Sequence, residues 1–328
     1  MMIRALLVAS LCAVWALHGI DPVYAQSQFY LNKAIKVVVP FPAGGPTDSI
    51  ARIISERLGT VLGQNIVIEN RGGGAGGSVG AKFVAAADPD GYTILLTPGG
   101  PLTSGPAVHS NIGYDPLKVF TPIALLTESP QVICVHPDVP VKTLLDLVAY
   151  AKANPGKLTW GSQGFGTSPH LVIAMFNFEA GVNILHVPYR GTAPALAAIL
   201  AGEVQIITDS STTVLPHIQS GRVRPIAVPI TERFSKLPDV PTTAEMGYPN
   251  LLAPFWLGVL VPAGTPPAIV ERLNAAFRES LDPPETRARL ANFGAEIKIG
   301  TPAAFGKLLV EELAQWTAVA KAANIKVD

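Results

Sequence analysis

Residues 37–58, VVVPFPAGGPTDSIARIISERL, pass from a β-branched run through a Pro-Gly-Gly-Pro turn into a stretch with helical periodicity. Val37, Val38 and Val39 favour a strand. Beyond Pro46, the apolar residues Ile50, Ile53, Ile54, Leu58, Val61 and Leu62 recur on one face, and Gly63 stops the pattern. Strand, glycine turn and helix start together suit an anion. Glycines let the backbone approach a ligand, and the first helical N–H groups lack partners inside the helix. The nucleotide pattern G-x-x-x-x-G-K-[ST] cannot be written across Gly44 and Gly45, and Asp48 stands where a nucleotide needs a cation. The stretch therefore predicts a βα unit receiving an anion smaller and weaker than ATP.

Outward from it the rhythm continues with strand NIVIE (65–69), helix VGAKFVAAA (79–87) and strand YTILLT (92–97). That is βαβαβ, which predicts a parallel sheet with helices packed on it, in the α/β class. TPGGPLTSGPAV (97–108) breaks the alternation. A second series follows: strand QVICV (131–135), a helix over 143–153, strand LTWG (158–161), helix HLVIAMFNF (170–178), strand ILHVP (184–188), helix TAPALAAILA (192–201) and strand VQIIT (204–208). Two βα lobes joined near residue 100 account for this order. Helices starting at Thr265 and Thr301, with prolines in their first turns, are expected to pack back on the first lobe.

Residues 158–171, LTWGSQGFGTSPHL, repeat the opening arrangement, with Thr167 or Ser168 as helix cap and Pro169 at an early helical position. In open α/β sheets, ligands bind at the carboxyl ends of strands. Two such turns across a cleft offer facing clusters of N–H groups, without lysine or arginine in either. This predicts a site for a small carboxylate held by amides, hydroxyls and water. Three other positions near strand ends admit both a cleft role and a plain one: His170 as a core histidine, Arg190 as a solvated turn residue, Asp209 as a cap.

The N-terminus sets the compartment. Arg4, the apolar run ALLVASLCAVWAL and the sequence VYA before Gln26 read as a secretory signal peptide over residues 1–25, too short to span a membrane. Its removal leaves Cys134 alone, a buried structural thiol in an apolar run. An apolar fraction of 48% with 15% charged residues suits a well-buried globular protein, and a formal charge of zero argues against nucleic acid as a partner. GGGAGG (72–77) fits G-x-G-x-x-G, but YTILLT ends without the acidic residue that would hold a ribose. Neither a G-x-S-x-G elbow nor an H-E-x-x-H pair is present, which argues against hydrolase and metal chemistry.

FPAGGPTDSIAR (41–52), ENRGGGAGG (69–77), AKANPGKLTWGSQGFGTSPHL (151–171), VPYRGTAPALAAILAGEV (187–204), LPDVPTTAEMGYP (237–249) and WLGVLVPAGTPPAIVERLN (256–274) together resemble the periplasmic substrate-binding receptors of tripartite tricarboxylate transporters, the Bug family. The resemblance implies a two-lobed Venus flytrap, each lobe a βα sheet with helices on both faces. Lobe one takes residues 26–100 plus about 228–328, and lobe two about 101–227. It implies ligand contacts from Phe41, Pro42, Gly44, Gly45 and Asp48 in the first turn, and from Ser162, Gly164, Gly166, Thr167 and His170 in the second. Tyr189, Arg190, Gly191 and Asp209 complete the implied set. The segment 97–109 is richer in Gly and Pro than the family pattern, so residues near 97–104 become candidates for the cleft wall.

The resemblance implies a monomeric extracytoplasmic receptor without metal or cofactor. It would capture a dicarboxylate, tricarboxylate, aromatic acid or acidic amino acid and deliver it to a membrane permease. Two alternatives share the sequence. One is a sensor that signals to a membrane kinase. The other is an exported α/β enzyme acting on a carboxylic acid, for which Asp48 and His170 are the candidate groups and neither has a sequence neighbour that fixes its role.

Overall fold

A computed structural model describes residues 32–109, 111–322 and 324–327. The signal peptide expected over residues 1–25 lies outside the described residues. The opening βαβαβ forms as β1 (Ile35–Val39), α1 (Pro46–Leu62), β2 (Ile66–Asn70), α2 (Ser78–Ala85) and β3 (Thr93–Thr97). β1 lies between β2 and β3 and runs parallel to both. α1 buries Ile50, Ile53, Ile54, Leu58 and Leu62, the face its spacing marks, and Gly63 closes it with φ +64°.

The middle of the sheet departs from the sequence reading. The strand expected at 131–135 is the end of β4 (Phe120–Val135), sixteen residues long. Pro122 and Pro130 hide its first part, because proline weakens any strand assignment; register shifts between Pro122 and Ala124 and between Leu125 and Thr127 absorb the irregularity. β9 (Pro254–Pro262) is a further strand that local pattern did not separate from the helix after it. It runs antiparallel to both β3 and β4, so the sheet is mixed.

The second series supplies α3 (Leu144–Ala153), β5 (Thr159–Ser162), α4 (Ser168–Ala180), β6 (Leu185–Pro188), α5 (Thr192–Leu200), β7 (Ile206–Ser210) and α6 (Ser211–Gln219). β5 is parallel to β6 and β7, and β7 is antiparallel to β4. The strand order is β2-β1-β3-β9-β4-β7-β5-β6, with β8 (Arg224–Ala227) and β10 (Glu296–Ile297) also against β4. β4 is thus shared: Phe120–Pro130 pair with β9, and Gln131–Val135 with β7.

Alternation along β4 builds a core on each face of the sheet. Ile133 and Val135 pack with Trp160, Leu171 and Phe176, whereas Val132 and Cys134 pack with Ala195, Ile199 and Val214. Cys134 is fully buried, and burial pushes its thiol up out of the reactive range. The chain ends with α7 (Pro267–Leu281), α8 (Pro284–Asn292) and α9 (Pro302–Ala322). Phe305 and Leu309 of α9 join Trp256 and Leu260, while Trp316 and Ala320 join the Ile133 core. Gly258 in β9 makes the first contact possible, because a Cβ there would overlap the Phe305 ring. Among the described residues no helix is long and apolar enough to cross a membrane.

Candidate ligand-binding cleft

The first glycine turn is fixed by its own polar groups. Gly44 has φ +83°, a conformation glycine tolerates best, and Gly45 is extended at the N-cap of α1 with Pro46 next. Asp48 Oδ2 accepts the Gly44 N–H at 3.0 Å, and Arg52 donates to both Asp48 oxygens at 3.0 Å. Asn70 Nδ2 donates to the Phe41 carbonyl at 3.1 Å. Burial pushes the Asp48 carboxyl up, but the bonds from Arg52, Gly44 and Asn70 outweigh it and hold the group below its ordinary value.

The second turn is clasped by other chain segments. Gly164 and Gly166 take φ +125° and +75°. Gly76 N–H donates to the Phe165 carbonyl at 2.9 Å, and Ser104 Oγ donates to the Gly166 carbonyl at 2.8 Å. A Cβ on Gly76 would stand 2.7 Å from the Gly100 carbonyl oxygen and 2.8 Å from that of Gly166. The glycines of 72–77 therefore serve a close crossing of three chain segments. Behind the turn, the His170 and His186 rings stack with centroids 4.6 Å apart, and His186 Nε2 meets Ser162 Oγ at 2.6 Å.

The third turn joins the first two. Tyr189 N–H donates to the Ser162 carbonyl at 3.0 Å, and Gly191 N–H to the Gln163 carbonyl at 3.2 Å. Gly191 has φ +103°, and a Cβ there would lie 3.3 Å from Pro42 Cδ of the first turn. The starts of α1, α4 and α5 and the end of β7 thereby converge on one cleft with about 670 Å³ of free space, part of it open to solvent.

Six of the implied site residues line this cleft: Phe41, Pro42, Gly45, Thr167, Arg190 and Asp209. Gly164, Tyr189 and Gly191 line an adjoining groove, together with residues 72–77. Gly44, Asp48, Ser162, Gly166 and His170 line neither. Asp48 is committed to Arg52 and Gly44. Ser162 and His170 form the packing behind the turn, and Gly166 is enclosed by Gly76 and Gly105. Of the 97–104 segment, Pro98 and Gly100 reach the wall.

Gln131, Gln163, Ser210 and Phe255 also line the cleft and were not anticipated. Gln163 carried a signal, being the polar side chain inside the quoted glycine turn. Gln131 and Phe255 are set by the β4–β7 and β4–β9 registers, which no local pattern gives.

The cleft is electrically uneven. Arg190 supplies positive charge, and the N-termini of α1, α4 and α5 add partial positive charge. Asp209 is buried, which pushes its carboxyl up to about 6 against the nearby donors Gln163, Ser210, Thr213 and Thr192. Among the described residues, no group of three or more His, Cys, Asp or Glu is placed to hold a metal.

A family model described as tripartite tricarboxylate transporter family receptor matches residues 50–325. The solved periplasmic binding protein BugD is 36% identical, with a TM-score of 0.85 over 90% of this chain and 99% of that one. MatC from Rhodopseudomonas palustris, solved with bound malate, is 36% identical, with a TM-score of 0.84 over 88% of this chain and 99% of its own. An R. palustris protein solved with adipate is 35% identical, with a TM-score of 0.85 over 90% of this chain and 98% of its own. The fold is that of these periplasmic binding proteins.

Proposed function

The chain belongs to the tripartite tricarboxylate transporter receptor family, and from that premise we propose that it captures a small carboxylate in the periplasm and presents it to a membrane permease. One observation carries the reading: the N-termini of three helices from separate βα units, with Arg190, face a single cleft. Each terminus contributes ~0.3–1 kcal/mol to a bound anion when exposed, and more when partly buried. Relatives of matching fold were solved with malate and with adipate, both dicarboxylates.

In this reading residues 1–25 are the secretion signal. Residues 26–100 with about 228–328 form one lobe, about 101–227 form the other, and the lobes close over the acid. Phe41, Pro42, Gly45, Thr167, Arg190 and Asp209 touch the ligand or its waters. Gly44, Asp48, Ser162, Gly164, Gly166, His170, Tyr189 and Gly191 hold the walls. In this reading the acid leaves unchanged, as it does from a solute receptor.

A thermal-shift screen of the secreted protein against dicarboxylates, tricarboxylates, aromatic acids and acidic amino acids tests the reading. An acid at 100 times its Kd adds ~2.7 kcal/mol of stability. No shift with any of these classes would sink it.

A further inference from the structure

Gln131 and Asp209 sit one register step apart on the antiparallel pair β4 (Phe120–Val135) and β7 (Ile206–Ser210), since Gln131 faces Ser210 and Val132 faces Asp209. The pleat turns them to opposite faces at the strand ends, Gln131 toward Ser168 and Asp209 toward Thr192. Both are buried, at 0% and 3% exposure, and both line the cleft. Asp209 Oδ1 accepts the Ser210 N–H at 2.7 Å, and Gln131 Nε2 donates to Ser168 Oγ at 2.5 Å. Asp209 Oδ2 and Gln131 Oε1 each make no hydrogen bond of good geometry among the described residues, although Gln163, Thr213 and Thr192 stand near Asp209.

Buried acceptors without donors are costly, and a carboxylate entering beside them supplies only more acceptors. Arg190 lines the same cleft as Asp209. A hydrogen from the ligand resolves both problems. It satisfies Asp209, and it separates the Asp209 charge from that of the bound acid.

We propose that Asp209, seconded by Gln131, reads a hydrogen-bond donor on the ligand, so that the receptor selects small carboxylic acids bearing a hydroxyl or ammonium group over plain acids of the same skeleton. The inference rests on the receptor reading above. A site built around a ligand hydroxyl or amine discriminates against the analogue lacking it, because its own buried groups are then left unpaired.

Calorimetry on the purified receptor tests this with acids matched in skeleton. Succinate is compared with malate and aspartate, glutarate with 2-hydroxyglutarate and glutamate, tricarballylate with citrate, and phenylacetate with mandelate and phenylglycine. In whichever skeleton binds, the donor-bearing acid should bind at least tenfold more tightly, ~1.4 kcal/mol. Comparing hydroxyl with ammonium within that skeleton identifies the donor. Asp209→Asn places an NH2 where an acceptor stood and should erase or reverse the preference, with circular dichroism confirming its fold.

Equal affinity for plain and donor-bearing acids in the natural protein overturns the inference and leaves the receptor reading standing. So does a preference that survives in folded Asp209→Asn. If no acid of any skeleton binds, the receptor reading falls and takes the inference with it.

Discussion

Glu312 Oε1 accepts the indole N–H of Trp256 at 3.0 Å, and its Oε2 lies 2.8 Å from Thr103 Oγ1, all three side chains being buried. This pair ties α9 (Pro302–Ala322) to the segment that carries Pro98 and Gly100 to the cleft wall. Thr103 Oγ1 is also 3.0 Å from the Gly99 carbonyl, and one hydroxyl hydrogen cannot serve both acceptors. Burial raises the Glu312 carboxyl above its ordinary value. Without a proton on Glu312, the Trp256, Thr103 and Trp316 side chains are its donors. A proton would let it donate to Thr103 while Thr103 donates to Gly99.

Glutamine reproduces that pattern, accepting from Trp256 through its oxygen and donating to Thr103 through its amide. Glu312→Gln is therefore expected to melt within a degree or two of the natural protein. Glu312→Ala leaves two buried polar groups and a cavity, and should lose ~2–4 kcal/mol. Equal melting of the two variants in denaturation experiments would remove the hydrogen-bonded role of Glu312.

The stacked histidines set an acid limit. Burial, aided by His186 and His109, lowers His170 from 6.5 to about 3, and burial lowers His186 from 6.5 to about 4. The folded protein thus binds fewer protons than the unfolded chain, so this stability is present above pH 6.5 and lost as pH falls toward 3. Asp209 acts oppositely: raised from 3.8 to about 6, its contribution is present below pH 3.8 and lost as pH rises through 6. Glu312, also raised, acts in the Asp209 direction. The two histidines are displaced further, so their effect wins. Net stability should fall by on the order of 2–4 kcal/mol between pH 6.5 and 4. A melting temperature that climbs steadily to pH 4 contradicts this.

Features specified within a few residues were legible in the sequence. The β1–turn–α1 unit follows from the valine run, from Gly44 and Pro46, and from the isoleucine spacing, all local. β4 and β9 were not legible in full, because Pro122 and Pro130 weaken the strand signal and the pairing partners lie more than a hundred residues apart. The cleft divides the same way. Gly45 and Thr167 were found because they sit at helix starts, whereas Gln131 reaches the wall only through the β4–β7 register. Asp48 shows a signal passed over: Arg52 lies four residues on, the spacing at which a helix brings an acid and a base together.

That pairing changes what Asp48 is expected to do. Asp48→Asn removes the ion pair with Arg52 and weakens the acceptor of the Gly44 N–H, costing ~1 kcal/mol of stability, since Arg52 is half exposed and the pair is screened. Affinity for the tightest acid of the thermal-shift screen should stay within twofold, and the ranking of acids should not change. Calorimetry with plain and amino-bearing acids reads this directly, and a selective loss of amino acids would return Asp48 to the cleft.

The two glycine turns predict opposite outcomes for the same substitution. Gly45 has φ −81° and ψ 172°, angles open to any residue, and a Cβ there meets nothing nearer than the Pro42 carbonyl oxygen at 3.8 Å. Its side chain would enter the cleft. Gly45→Val should therefore fold, with a loss within ~1 kcal/mol at the helix cap, and raise the Kd of the tightest acid at least tenfold, ~1.4 kcal/mol. Gly166 has φ +75°, and a Cβ there lies 3.1 Å from Gly105 Cα and 3.2 Å from Gly76 N. Gly166→Val forces a left-handed backbone on a branched residue and pushes three chain segments apart, so it should lose ~2–5 kcal/mol of stability. Thermal melts separate the variants first, and calorimetry follows on whichever remains folded. Natural affinity in a folded Gly45→Val protein would mean that the acid does not occupy the space in front of α1, and the three-helix cleft would cease to be its site.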